Sequence, residues 1–266
     1  MNVFNLDETA RPQHGGYDSL MYWPPLMEYY CHSDFVNFGY WEENTGDACQ
    51  ASQNLMDKLL AFIPEKRGNI LDVACGKGAG TRYLEKFYEP RRITGINISQ
   101  KQLATCRQNA PRGNFVLMDA VDLHFKDESF DNIICVEAAF HFNTRERFLR
   151  EAYRVLKPGG RLVLSDILLT REAEARGKFR TEKNYVRDLT AYEDLWRQAG
   201  FVDLMVVDAT APCFHGSFWH LVRFSHEKLL SREMNAKSLR LFVRKAFEFV
   251  PEFRYYLLTA GLKRAG

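Results

Sequence analysis

His141 stands between two phenylalanines in Ala138-Ala139-Phe140-His141-Phe142, just beyond the apolar run Asn132 to Val136, and Asp166 closes the next apolar run in Leu164-Ser165-Asp166. A neutral imidazole can take a proton from an acceptor group, help that is typically worth about 10²- to 10⁴-fold. A nearby carboxylate could hold that imidazole in one tautomer and stabilise its charged form. Simpler uses exist for both residues: a histidine between aromatic rings is often just packed and hydrogen-bonded, and an aspartate after a strand often caps a loop. A second group is Asp72 with the glycines of Cys75-Gly76-Lys77-Gly78-Ala79-Gly80. Glycines at a strand-to-helix turn let backbone N–H groups and a helix N-terminus approach a ligand closely. Asp72 would repel a pyrophosphate but suits a ligand carrying an ammonium group. The dinucleotide pattern Gly-x-Gly-x-x-Gly/Ala fails at Thr81, and Asn97 stands where an acid should hold a ribose.

These residues need a scaffold that brings strand ends together. Asn69 to Ala74, Ile93 to Ile98, Phe115 to Met118, Asn132 to Val136 and Arg161 to Ile167 read as strands with helical patterns between them, which implies a parallel sheet. Phe148, Ala152 and Val155 share one helix face before Lys157-Pro158-Gly159-Gly160, which should end that helix. Tyr192, Leu195, Trp196 and Ala199 mark a later helix, Val202 to Val207 a sixth strand and Tyr255 to Leu262 a last one. The fold expected is α/β, a doubly wound, mostly parallel seven-stranded sheet. Its parts are an aromatic N-terminal cover over residues 1–50, an α/β core over 51–210, a helical lid insertion over 211–252 and a final core strand over 253–266.

Ile70-Leu71-Asp72-Val73-Ala74-Cys75-Gly76-Lys77-Gly78 resembles the first motif of class I S-adenosylmethionine-dependent methyltransferases, and Leu156-Lys157-Pro158-Gly159-Gly160 resembles their turn before the fifth strand. The resemblance covers roughly Leu55 to Val207 and implies S-adenosylmethionine (SAM) as cofactor, with S-adenosylhomocysteine (SAH) as product. It places Asp72, Gly76 and Gly78 against the amino-acid part of SAM. Most relatives carry an acid at the end of strand two that grips both ribose hydroxyls, and Asn97 departs from that pattern. Its amide can still accept one hydroxyl bond and donate another. The spacing to Gln102 resembles the branch containing cyclopropane synthases and natural-product methyltransferases, in which the glutamine helps hold the nucleoside. Met118-Asp119-Ala120 resembles the adenine-side motif, in which the carboxylate accepts from the exocyclic amine; the simpler use of Asp119 is a helix N-cap. Glu137 is counted with the cofactor-binding residues. His141 with Asp166 resembles the His/Asp pair of bacterial natural-product O-methyltransferases.

The function expected is methyl transfer to a hydroxyl of a small, bulky, partly apolar secondary metabolite. The alternative is N- or C-methylation of an amine, prenyl or alkene acceptor, in which Glu137 or an aromatic roof would stabilise a cation. Phe214, Phe218, Trp219 and Phe224, with the N-terminal tyrosines, could form that roof or merely a lid core of their own. Lys+Arg 36 against Asp+Glu 34, scattered along 266 residues, offers no phosphate-tracking stripe, so nucleic acid is not an expected partner. Glu137-Ala138-Ala139-Phe140 also lacks the Pro-Pro turn of nucleic-acid amino-methyltransferases. No leader-like segment and no membrane-length apolar stretch is found, which implies a cytoplasmic protein. The six cysteines lie far apart and read as reduced thiols, and His215, His220 and His226 lack metal-ligand spacing.

Overall fold

The computed structural model describes residue 18 and residues 21–175 and 184–265. Seven strands form one sheet in the order β3-β2-β1-β4-β5-β7-β6. They are β1 (Ile70–Val73), β2 (Ile93–Asn97), β3 (Asn114–Leu117), β4 (Phe130–Val136), β5 (Leu156–Leu169), β6 (Phe201–Asp208) and β7 (Phe253–Lys263). The first five pair in parallel, and β7 runs antiparallel to both β5 and β6. Burial explains the order. β7 is buried almost continuously, as a strand flanked on both sides must be, while β6 alternates and β3 is largely exposed, as edges allow.

Side chains alternate across the pleat, so each central strand feeds two cores. Ile70, Ile93, Ile134 and Val163 pack on one face with Leu55, Leu59 and Leu60 of α2 (Ala48–Ala61) and with Tyr83 and Leu84 of α3 (Ala79–Leu84). Leu71, Ile96, Ile133 and Leu164 pack on the other with Phe148, Ala152 and Val155 of α5 (Arg145–Val155) and with Tyr192 and Trp196 of α7 (Leu189–Gln198). Between them α4 (Gln100–Asn109) lies beside β2 and β3. The Asp47 and Asp188 side chains cap α2 and α7 by accepting from Gln50 N and Ala191 N.

Two expectations shift. α5 stops at Val155, and Leu156 already pairs with Phe130, so the Lys157 to Gly160 segment belongs to β5 rather than to the helix end. Asp166 does not end β5 either, because Ile167 and Leu168 continue the ladder against Tyr256 and Tyr255. Short helices α1 (Pro24–Tyr29) and α6 (Arg171–Ala175) flank the core. A π-helical turn Thr210–His215 leads into α8 (Gly216–Leu230) and α9 (Ala236–Phe249), which rise between β6 and β7. No helix among the described residues is long and apolar enough to cross a membrane.

The two lid-side and core tryptophans differ sharply, since Trp196 is fully buried and Trp219 is 66% exposed. Trp196→Ala should cost about 3 to 5 kcal/mol in a urea melt, whereas Trp219→Ala should stay within roughly 0.5 kcal/mol. Equal effects would show that the tryptophan seat between α7 and β7 is not what closes this half of the core.

Candidate active site

The parallel strands end along one rim. Val73 pairs with Cys135, and Val136 with Ser165, which sets Asp72, Glu137 and Asp166 on three neighbouring strands or their ends. Asp72 is 4% exposed, and its Oδ2 accepts from Thr81 Oγ1 at 2.6 Å. No lysine or arginine among the described residues pairs with it, and burial pushes its pKa up to about 6 despite the Thr81 bond. Thr81, which separates this turn from the dinucleotide pattern, is thus the partner of Asp72, one turn into α3. The turn itself needs its glycines: Gly76 and Gly78 have φ of +56° and +87°. A Cβ at Gly78 would stand 2.9 Å from the backbone of Cys106, whereas one at Gly76 would meet nothing within 4 Å. Gly76 therefore presents open backbone to a ligand.

At the end of β2 the Asn97 amide is already employed. Its Oδ1 accepts from Ser99 N at 2.9 Å, and its Nδ2 donates to Gln102 Oε1 at 3.0 Å and to Gly76 O at 3.3 Å. The Asn97 amide expected to meet the ribose also braces the turn, with both N–H donors taken and one acceptor site left on Oδ1. Asp119 accepts from Val121 N through Oδ1, at 3.1 Å, ahead of the buried Ala120. It also borders a cavity of about 320 Å³ lined by Ile98, Leu117, Met118, Asp122 and His124. Ile98 is 75% exposed there, an apolar side chain left open beside a carboxylate, which suits a flat base with an exocyclic amine.

His141 ends a 3₁₀ turn, Ala139–His141, beyond β4, and its ring lies 4.0 Å from that of Phe140. Asp166 does not serve it. Its hydrogen bonds go to Arg145, with Nε at 2.7 Å and Nη2 at 3.1 Å, and to Ile167 N, in a pair no more than 3% exposed. The expected His141–Asp166 couple is replaced by a bidentate Arg145–Asp166 pair, whose planar geometry matches fork to carboxylate. Arg145 also donates to Asn184 O and Ile167 O. Asn184 in turn donates to Ala139 O and Phe140 O and accepts from Arg145 N. The histidine turn is therefore gripped by a buried polar network. Arg145 reads in the sequence as one more surface charge opening a helix, and nothing local marks Asn184.

Glu137 Oε1 accepts from Phe38 N at 2.7 Å and from Tyr256 Oη at 2.5 Å, which ties the N-terminal cover to β7. Burial pushes its pKa up to about 8, although both bonds act to lower it. Phe38, Phe214, Phe253 and Tyr256 form one aromatic cluster around this carboxyl, with Phe214 and Phe253 stacked at 4.3 Å. Of the expected roof, Phe214 joins this cluster, Phe224 packs edge-on to Tyr29 and Trp219 faces outward. His220 stacks on Trp41 at 4.2 Å, and burial lowers its pKa to about 4, so it is a neutral packing group. The cover is further pinned by Lys77 to Asp34 at 2.6 Å and by Trp41 N to Pro212 O at 2.9 Å. All six cysteines are free thiols.

A carboxyl whose pKa is raised in the folded state holds its proton where the unfolded chain has lost it. Glu137 therefore weakens the fold as pH rises from about 4.5 to about 8. Glu137→Gln should melt higher than the parent at pH ~8, with the gap shrinking toward pH ~5, at roughly 2 to 4 °C per kcal/mol. A gap independent of pH would mean that the carboxyl is ionised in the fold. Asp166→Asn should cost about 3 to 5 kcal/mol of stability, because it strands a buried guanidinium.

A methyltransferase-domain model matches residues 71–164. The chain is 29% identical over 242 residues to the 27-O-demethylrifamycin SV methyltransferase of Amycolatopsis mediterranei, covering 85% of this chain and 89% of that one. It is 32% identical over 252 residues to the methyltransferase GfsG of Streptomyces halstedii, covering 86% and 87%. Among solved structures, the [4+2]-cyclase SpnF superposes with a TM-score of 0.69 at 23% identity, over 91% of this chain and 93% of that one, a likeness of fold. The donor set fits the cofactor of the family: a buried carboxyl without a cation for the ammonium, open backbone at Gly76 for the carboxylate and an apolar, acid-edged cavity for the adenine. With the glycine turn, the sheet order and these relatives in agreement, the chain belongs to the class I SAM-dependent methyltransferases.

Proposed function

We propose that the protein methylates a hydroxyl of a bulky, partly apolar secondary metabolite, with His141 as general base. The observation that carries this reading is the histidine turn itself: an imidazole beyond β4, on the rim that bears Asp72, with its backbone fixed by Asn184. A relative named for methylation of a rifamycin supports the acceptor class.

When bound, SAM supplies an electrophilic methyl group on a sulfonium. Asp72 and the turn at Gly76 and Gly78 would hold its amino-acid end, while Asp119 and Ala120 would face the base. The chain's remaining tasks are alignment and proton removal. An imidazole nitrogen of His141 would take the hydroxyl proton as oxygen attacks the methyl carbon. Glu137 and its aromatic cluster would border the acceptor side, where a carboxyl that is protonated near neutral pH can donate a hydrogen bond. The same feature favours a second reading, N- or C-methylation, since the ammonium or carbocation formed when an amine or alkene takes the methyl group would draw Glu137 into its ionised form.

Incubation with SAM and metabolite extracts should yield a product heavier by one CH₂, detected by mass spectrometry. His141→Ala should lower kcat about 10²- to 10⁴-fold while SAM affinity stays near that of the parent. The rise of activity with pH through the histidine range should vanish in that variant. Retention of more than about a third of kcat would assign the chemistry to the second reading. SAM affinity should climb as pH rises through about 6, because Asp72 must ionise to meet the ammonium. Asp72→Asn should abolish that dependence and weaken binding roughly 10- to 150-fold.

A further inference from the structure

The end of β2 offers no acid; both Asn97 N–H donors go to Gln102 Oε1 and Gly76 O, and its oxygen, already accepting from Ser99 N, keeps at most one acceptor site. A carboxylate nevertheless stands there, delivered from 81 residues before Ser99. Asp18 Oδ1 accepts from Gln102 Nε2 at 2.6 Å, and both Asp18 oxygens take the Ser99 hydroxyl, at 2.8 and 2.9 Å. The segment carrying it is fastened to α4. Tyr22 Oη lies 2.7 Å from Thr105 Oγ1 and 3.2 Å from Lys101 O, and its ring receives Lys101 at 4.0 Å and Lys77 at 5.5 Å.

A nucleoside joining the base cavity at Ile98 and Asp119 to the glycine turn must lay its sugar across the Asn97–Ser99 corner. The vicinal hydroxyls of a ribose are two donors in need of acceptors. In that corner Asn97 Oδ1 is already engaged, whereas an ionised carboxylate has about four acceptor sites and can serve several donors at once. We propose that Asp18 supplies, from the N-terminal cover, the anionic acceptor for the ribose hydroxyls that β2 lacks. The cover then does more than shield the site: it completes the cofactor subsite, and SAM binding and cover closure favour one another. Lys77 adds a second tie between the two, since it sits in the glycine turn and pairs with Asp34 of the cover. This assignment rests on the reading that SAM occupies the rim of β1 and β2.

Calorimetry with SAH and its 2′,3′-dideoxy analogue tests it on the full chain. Asp18→Asn should weaken SAH about 10- to 100-fold and leave the dideoxy analogue nearly unchanged. Tyr22→Phe, which loosens the same segment and spares the carboxylate, should affect both ligands alike and slightly. Melting curves confirm that each variant is folded. An equal loss for both ligands in Asp18→Asn overturns the proposal and makes Asp18 a fastener of the cover, as does an unchanged SAH affinity. If the parent protein binds neither ligand, the cofactor reading itself falls, an outcome distinct from either.

Discussion

Burying a carboxyl without a cation is costly, and the Asp72 site is organised around that cost. One hydroxyl, from Thr81, reaches it among the described residues, and burial raises its pKa despite that bond. The strand that carries Asp72 sits between β2 and β4, so the group cannot turn to water without breaking the centre of the sheet. A cationic ligand group relieves the penalty, and the open backbone at Gly76 lets such a ligand come close. The fold therefore stores, at the end of its central strand, an electrostatic demand that an ammonium satisfies.

The same logic is repeated across the rim with different solutions. Glu137 is kept in place by two donors on one oxygen and by an aromatic shell, with no cation in its surroundings among the described residues. Asp166 accepts on both oxygens from a guanidinium that also donates to two backbone carbonyls. Burial raises the pKa of the first two carboxyls, and the third is committed to architecture. Acids that look alike in the sequence thus meet three different environments.

The N-terminal cover links these groups. Phe38 donates to Glu137, Asp34 pairs with Lys77 and Asp18 meets Gln102 and Ser99, so one segment touches the ends of β4, β1 and β2 in turn. Trp41 fixes it to the lid through His220 and Pro212. The cover is held both by these polar contacts to site residues and by apolar packing, since Tyr29, Tyr30 and Phe35 are buried in the same core as α2.

The sequence by itself determined the sheet, the glycine turn and the family, because each is written in local patterns: short apolar runs for buried strands, helix faces of period 3.6 and a motif in which glycine is required by φ. It also located Asp72 and His141 on the right rim, since in a parallel sheet the strand ends must converge. Partners were another matter. That Asp166 faces Arg145 instead of His141, that Thr81 serves Asp72 and that Asp18 reaches the end of β2 depend on where side chains from distant segments point once β7 and the cover have packed. Spacing along a chain constrains which residues share a face. Only packing in three dimensions decides which of the available donors reaches a given carboxylate first, and every donor so taken removes one alternative from the rest.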